Sequence, residues 1–156
     1  MAGVQNSFEG MELFDPEAWT EGRLVSAALK LGADQVSGWS PAEQHLARDP
    51  EAVDRKLVAE LKARIKAGQD PLGDLFAQLR SPEVRRDLGA TYTPAPIVDA
   101  MLTWASERPK PERIVDPGVG SARFLLKAAS TFPKARLYGV EIDPLAAILA
   151  RANLAA

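Results

Sequence analysis

Residues 113–122 read Arg-Ile-Val-Asp-Pro-Gly-Val-Gly-Ser-Ala, and residues 136–143 read Arg-Leu-Tyr-Gly-Val-Glu-Ile-Asp. These two stretches, and the helix between them, decide the fold. Ile114 and Val115 form a short apolar strand, set off upstream by Pro109 and Pro111. It runs into a turn holding Gly118 and Gly120. An amphipathic helix follows, with Phe124, Leu125, Ala128, Ala129 and Phe132 on or near one face. A second strand over residues 137–140 stops at Glu141. Strand, glycine turn, helix, strand and acidic end make one half of a nucleotide-binding α/β unit.

The turn limits what that unit can hold. Gly118 and Gly120 let the backbone bend tightly and approach a ligand closely. The helix from Ser121 aims its amide dipoles at whatever is bound. Glu141 lies about 20 residues beyond the turn, the offset at which an acid reaches ribose hydroxyls. So far a dinucleotide and S-adenosylmethionine fit equally, and charge separates them. A pyrophosphate wants free N–H groups and no anion. Here the turn opens with the carboxylate of Asp116 and with Pro117, which has no N–H. The ammonium of a methionine tail is attracted by such an aspartate, while the helix N-terminus can still serve its carboxylate. The expected cofactor is S-adenosylmethionine.

Length and composition set the frame. The 156 residues suit one ordinary domain, and 46% hydrophobic with 26% charged residues describes a globular chain. No apolar run approaches the roughly 18 residues of a membrane span, and residues 1–14 lack the basic and apolar regions of a secretory signal. No membrane association and a cytoplasmic location are expected. There is no cysteine and only one histidine, His45. Thiolate or histidine-built metal sites are therefore excluded, as are Ser-His and Cys-His pairs that need a second histidine. A net charge of −2 offers no basic excess with which to grip nucleic acid alone.

Along the rest of the chain one device repeats. Seven of the 12 prolines directly follow a capping residue: Asp15-Pro16, Ser40-Pro41, Asp49-Pro50, Asp70-Pro71, Ser81-Pro82, Thr93-Pro94 and Asp143-Pro144. Each reads as a helix start, because the side-chain oxygen accepts an orphan amide and proline at the first helical position sacrifices only an N–H without a partner. Residues 21–31 read as a helix stopped by Gly32, and residues 41–48 as a short helix behind the capping box Ser40-Pro41-Ala42-Glu43. Residues 50–67 read as the longest helix, with Val53, Leu57, Val58, Leu61 and Ile65 on its apolar face, Gly68 at its end, and Glu51/Arg55 and Glu60/Arg64 as i,i+4 pairs. Leu72, Leu75, Phe76 and Leu79 mark another helix. Residues 1–88 are thus expected to be all-helical, a cap or docking region without chemistry of its own. Arg80, Arg85 and Arg86 are candidate DNA contacts, but read more simply as a solvated helix face balanced by Glu83 and Asp87.

Three segments then carry a resemblance. Gly89-Ala90-Thr91-Tyr92-Thr93-Pro94, the ten residues from Asp116 to Leu125, and Gly139-Val140-Glu141-Ile142-Asp143-Pro144 resemble, in order and spacing, consecutive motifs of the γ-type DNA adenine-N6 methyltransferases of restriction–modification and related phage-defence systems. The resemblance implies an α/β fold: a helical region over 1–88, then over 89–156 the start of a Rossmann-like class I methyltransferase domain, with an incomplete sheet of about two strands. It implies that Thr91, Tyr92, Thr93 and Pro94 lie against the methionine end of S-adenosylmethionine, with Thr93 the hydrogen-bonding side chain. Thr93 can equally be the N-cap of the helix carrying Ile97, Met101 and Trp104. Asp116, Pro117, Gly118 and Gly120 would form the floor under that tail. Glu141 would hold the ribose hydroxyls, and Ile142 would pack on the adenine. Ala122 departs from the family's Gly-Ser-Gly pattern without an expected loss of binding.

The resemblance also implies a motif that the sequence lacks. These enzymes carry a later Asn/Asp-Pro-Pro-aromatic motif that meets the flipped adenine, and the chain has no Pro-Pro dipeptide. No catalytic residue and no metal ligand is assigned here. The chain reads as the front of a longer enzyme or one piece of a split one, inactive alone on DNA. DNA would be engaged through C-terminal regions beyond this sequence, and a partner chain could complete the sheet. The alternatives are a methyltransferase of RNA or protein glutamine, a nucleotide-linked oxidoreductase, and a non-enzymatic helical interaction module.

Overall fold

The computed structural model describes residues 18–80 and 93–156. Helix α1, Glu21–Lys30, starts on Thr20, whose hydroxyl accepts the Arg23 N–H at 3.0 Å, and it gives way to Gly32 at φ 102° and a 3-10 turn, Ala33–Gln35. Helix α2, Pro41–Leu46, has the expected capping box. Ser40 Oγ accepts the Glu43 N–H at 3.3 Å and the Glu43 carboxylate accepts the Ser40 N–H at 2.7 Å. Asp70-Pro71 opens helix α4, Pro71–Leu79, as expected.

The Asp49-Pro50 device does not start a helix. Helix α3 is Arg55–Lys66, capped by Asp54, which accepts the amides of Lys56 and Leu57. Residues 50–54 are held across α1 instead. The Glu51 N–H donates to Ser26 Oγ at 2.7 Å, the Glu51 carboxylate accepts the Thr20 hydroxyl at 2.9 Å, and Lys30 Nζ donates to the Val53 carbonyl at 2.6 Å. Three tertiary hydrogen bonds outweigh a local start signal. The Glu51/Arg55 pair is consequently not formed, whereas Glu60 and Arg64 pair at 2.8 Å. At Thr93-Pro94 a helix does start, one residue later than expected and without the threonine cap. Helix α5, Ala95–Ser106, has Pro94 as its N-cap and no side-chain cap. The Asp15-Pro16 and Ser81-Pro82 devices, with Glu83, Arg85, Arg86 and Asp87, lie outside the described residues.

The α/β half follows. Strand β1, Arg113–Asp116, pairs in parallel with β2, Arg136–Gly139, in the register Arg113 to Arg136 through Asp116 to Gly139. Helix α6, Arg123–Thr131, makes the crossover, burying Leu125 and Ala128, with Phe132 buried just beyond its end. Helix α7, Pro144–Ala155, closes the order on its Asp143 cap. The two strands form the only sheet among the described residues.

Packing joins the parts through α7. Leu145, Ile148 and Leu149 are fully buried, and with Ala146 and Ala152 they share one core with Leu24, Leu61, Leu72, Leu75 and Phe76 of α1, α3 and α4. Burying each such leucine or isoleucine stabilises by about 1.5–3 kcal/mol, so α7 is anchored in the helical region. A second cluster, Val98, Leu102, Ala128 and Phe132, fastens α5 to α6. On the other side Val115, Tyr138 and Val140 stay 62%, 45% and 59% exposed. No described helix is long and apolar enough to cross a membrane.

Candidate functional site

The glycine turn leans over the carboxyl end of the sheet. Beyond the paired residues the Val140 N–H donates to the Asp116 carbonyl at 2.9 Å, and the Val119 N–H donates to the Val140 carbonyl at 3.0 Å. Gly139 makes that lean possible. A Cβ there would lie 2.9 Å from both Val119 methyls, closer than side chains pack. Gly120 takes a left-handed φ of 53°, as does Ala122 at 73°. A left-handed alanine costs about 1–2 kcal/mol. Ala122 is fully buried in a cluster with Val119, Leu125 and Ala150, which offsets part of that cost.

Two carboxylates stand at the adjacent strand ends. Asp116 is the last residue of β1 and leads into the turn, where its Oδ1 accepts the Gly118 N–H at 3.2 Å. Glu141 accepts three backbone N–H groups: Gly120 on Oε2 at 2.8 Å, and Ile142 and Asp143 on Oε1 at 2.8 and 2.9 Å. No cation among the described residues pairs with either. The nearest arginine in sequence, Arg123, turns the other way, to Asp70 at 3.2 Å and Asp74 at 2.7 Å. Burial works against its charge, but the two aspartates outweigh that and raise its pKa above the ordinary arginine value. Among the described residues the site is therefore anionic.

The other expected residues are placed unevenly. Pro117 and Gly118 are exposed at the rim, and a Cβ on Gly118 would meet nothing within 4 Å. Ile142 is 81% exposed beside Glu141. Thr93 and Pro94 are exposed ahead of α5, and no hydrogen bond joins them to the turn among the described residues. Thr91 and Tyr92 lie outside the described residues. Helix α6 follows the turn directly and has no side-chain cap. Among the described residues no cluster of acids or histidine could hold a metal ion.

Beneath the turn lies a polar network that reading the sequence missed. Asp70 Oδ1 accepts the Gly73 N–H at 2.9 Å and Asn153 Nδ2 at 2.8 Å, and its Oδ2 accepts Ser121 Oγ at 2.5 Å. Asn153 Nδ2 also donates to the Ser121 carbonyl at 2.7 Å. Asp70 reads in sequence as a helix cap and nothing more. The signal that could have found the network is Asn153, an amide among the buried, mainly apolar residues of α7. Arg80, a candidate DNA contact in the sequence, is occupied instead: its guanidinium pairs with Glu21 at 2.8 Å and with Asp143.

Comparison with known proteins identifies the family and several relatives. A family model described as N-6 DNA Methylase matches residues 68–156, more than half of the chain. The type II methyltransferase M.XamI of Xanthomonas campestris pv. amaranthicola is 44% identical over 147 residues, 88% of this chain and 26% of that protein. A tRNA1(Val) (adenine(37)-N6)-methyltransferase of Porphyromonas gingivalis is 48% identical over 56 residues, 34% of this chain and 22% of that one. The type II methyltransferase M.CvrRI of Paramecium bursaria Chlorella virus XZ-6E is 33% identical over 76 residues, 49% of this chain and 20% of that one. The chain spans about a quarter of the length of the curated relatives it matches. No solved structure matches it significantly.

Proposed function

Because the chain belongs to the N-6 DNA methylase family, we propose that it forms the S-adenosylmethionine-binding part of a DNA adenine-N6 methyltransferase of a restriction–modification system. The observation that carries the cofactor is the pair of carboxylates, Asp116 and Glu141, at neighbouring strand ends with no cationic partner among the described residues. A pyrophosphate placed there would meet two anions. A methionine tail would bring its ammonium to Asp116 and its carboxylate to the uncapped amides of α6. Glu141 would take the ribose hydroxyls. Ile142, exposed at the rim, would give its apolar face to the adenine, and Thr91 to Pro94 would close over the methionine end. S-adenosylmethionine supplies, when bound, a methyl group made electrophilic by its sulfonium. This chain's residues bind and orient it.

The rest of the enzyme is proposed on the same footing. The Asn/Asp-Pro-Pro-aromatic motif expected to meet the methyl-accepting base is not among these 156 residues. The free edges of β1 and β2, and the bare face with Val115, Tyr138 and Val140, are suited to further strands and helices, from the same polypeptide or from a partner chain. DNA as substrate is supported by the 44% identity to M.XamI, a type II methyltransferase. The tRNA methyltransferase relative favours RNA as a second reading, and it matches over 56 residues only.

The test is a calorimetric titration with S-adenosylhomocysteine, with NAD as the comparison ligand. Binding of the former alone is expected. Binding of NAD alone would replace this reading with a nucleotide-linked oxidoreductase. Labelled S-adenosylmethionine, offered with duplex DNA and with tRNA to the full-length enzyme, separates the two substrates. The 156-residue chain by itself is expected to label neither.

A further inference from the structure

Resting on the cofactor reading above, we propose that helix α4 is a clamp that sets both loops of the cofactor pocket, with Asp70 and Arg80 as its positioning residues. The two residues flank the helix as its N-cap and C-cap. Asp70 grips the glycine turn and Arg80 grips the acidic loop.

Asp70 is more than a cap. A helix cap needs one amide, here that of Gly73, and is ordinarily at the surface. The Asp70 side chain is only 3% exposed, and its two oxygens accept four donors: Gly73, Asn153, Ser121 and Arg123. That fills the acceptor capacity of a carboxylate. Two of the four donors belong to the turn and the first residue of α6. Asn153 reinforces the link, since the same Nδ2 bridges Asp70 and the Ser121 carbonyl. Both its partners are acceptors, so the amide can sit only one way round. Gly73 supplies the room. A Cβ there would lie 2.2 Å from Asp70 Oδ2 and 2.4 Å from Ser121 Oγ. Glycine is a poor helix former, and in the first turn of α4 it keeps the helix and the turn in contact.

Arg80 does the same at the other end. It pairs with Asp143, whose side chain is 5% exposed and whose Oδ1 caps α7 through the Leu145 N–H at 2.9 Å. Asp143 directly follows Glu141 and Ile142. The turn and the acidic loop have to hold different parts of one ligand, and such sites require placement to within about 0.5 Å. Both are referenced to one short, buried helix that itself belongs to the helical region.

The test uses the 156-residue chain with Ser121→Ala and Arg80→Met as independent arms. Ser121→Ala deletes one hydroxyl and leaves the Asp70 cap on Gly73 in place. Ile65→Val, in the buried face of α3, is the control for lost stability without lost positioning. Two quantities are read: the dissociation constant for S-adenosylhomocysteine, and backbone hydrogen exchange over residues 117–123 and 139–143. Both arms are expected to weaken binding at least tenfold and to speed exchange at least tenfold in their own loop. Ile65→Val, despite a lower Tm, is expected to leave both within twofold. Arms that behave like Ile65→Val overturn the proposal. A wild-type chain that ignores S-adenosylhomocysteine refutes the cofactor reading and the pocket role with it. The exchange data then support or overturn the clamp by themselves.

Discussion

Gly120 and Glu141, 21 residues apart in sequence, are joined by a 2.8 Å hydrogen bond from the glycine amide to the carboxylate Oε2. With Ile142 and Asp143 on the other oxygen, Glu141 already accepts three N–H groups. A carboxylate offers about four acceptor positions, and two ribose hydroxyls need two. With Glu141 as the ribose acceptor proposed above, one of its three amide bonds has to yield. We expect it to be that of Gly120, the one amide of the three in the glycine turn, where its release would free it for the ligand's own carboxylate. In a 15N-resolved NMR titration with S-adenosylhomocysteine, the Gly120 amide is expected to shift among the most of any residue. An unmoved Gly120 signal in a saturated sample would exclude this exchange of partners.

The glycines on either side of the site should fail in opposite ways. Gly118 has open space where a side chain would go, so Gly118→Ala is expected to leave stability within about 0.5 kcal/mol, as surface changes do. It should weaken S-adenosylhomocysteine at least tenfold, because the methyl occupies the ligand's approach. Gly139→Ala drives a Cβ into the Val119 methyls and should cost about 1–3 kcal/mol by overpacking. Urea unfolding and calorimetry on the two variants check both halves. A Gly118→Ala protein that binds normally would show that the ligand stays clear of that edge.

How much of this could be read in advance depends on where each residue's partner lies. Ser40, Asp70 and Asp143 cap helices as their sequence context says, because a cap's donor sits two or three residues on. The same context misleads at Asp49-Pro50, where the deciding partners are Thr20, Ser26 and Lys30 of another helix. The two strands, the crossover helix and the acidic end are local and come out close to expectation. The second duty of Asp70 depends on Ser121, 51 residues away, and on Asn153, 83 residues away. No local pattern encodes either distance. Arg80 is similar: its basic neighbours in sequence suggest a charged face, while Asp143, 63 residues on, takes up its charge.

Ala122 offers a test of stored backbone strain. Its φ of 73° is a conformation glycine adopts freely. Ala122→Gly should recover about 1–2 kcal/mol of that strain. It also loses a fully buried methyl, worth about 0.8 kcal/mol, and adds freedom to the unfolded chain, worth about 0.4–1 kcal/mol. These nearly cancel, so the variant is expected within about 1 kcal/mol of the parent in urea unfolding. A loss above about 2 kcal/mol would mean that the methyl's packing, and not the turn's handedness, dominates at this position.

Arg151 ties α7 to Glu43 of α2 and to the segment ahead of α2, and the Arg151–Glu43 pairing should show in acid. Arg151 Nε donates to Glu43 Oε1 at 2.7 Å, and its other nitrogens donate to the carbonyls of Val36, Ser37 and Gly38. The side chains are 13% and 5% exposed. Removing one partner of a buried pair strands the other, so Arg151→Ala should cost about 3–5 kcal/mol. Burial pushes the Glu43 pKa up, but hydrogen bonds from Arg151 and Ser40 outweigh it, leaving the carboxyl below its ordinary 4.5. As pH falls, the unfolded chain therefore takes up this proton before the folded one does. The stabilisation is complete above about pH 4.5, shrinks as pH falls through the folded value, and is gone below it. Urea midpoints at pH 7 and pH 3 should consequently differ more for the parent than for Glu43→Gln. Equal differences would mean that the Arg151 contact does not favour the charged carboxylate.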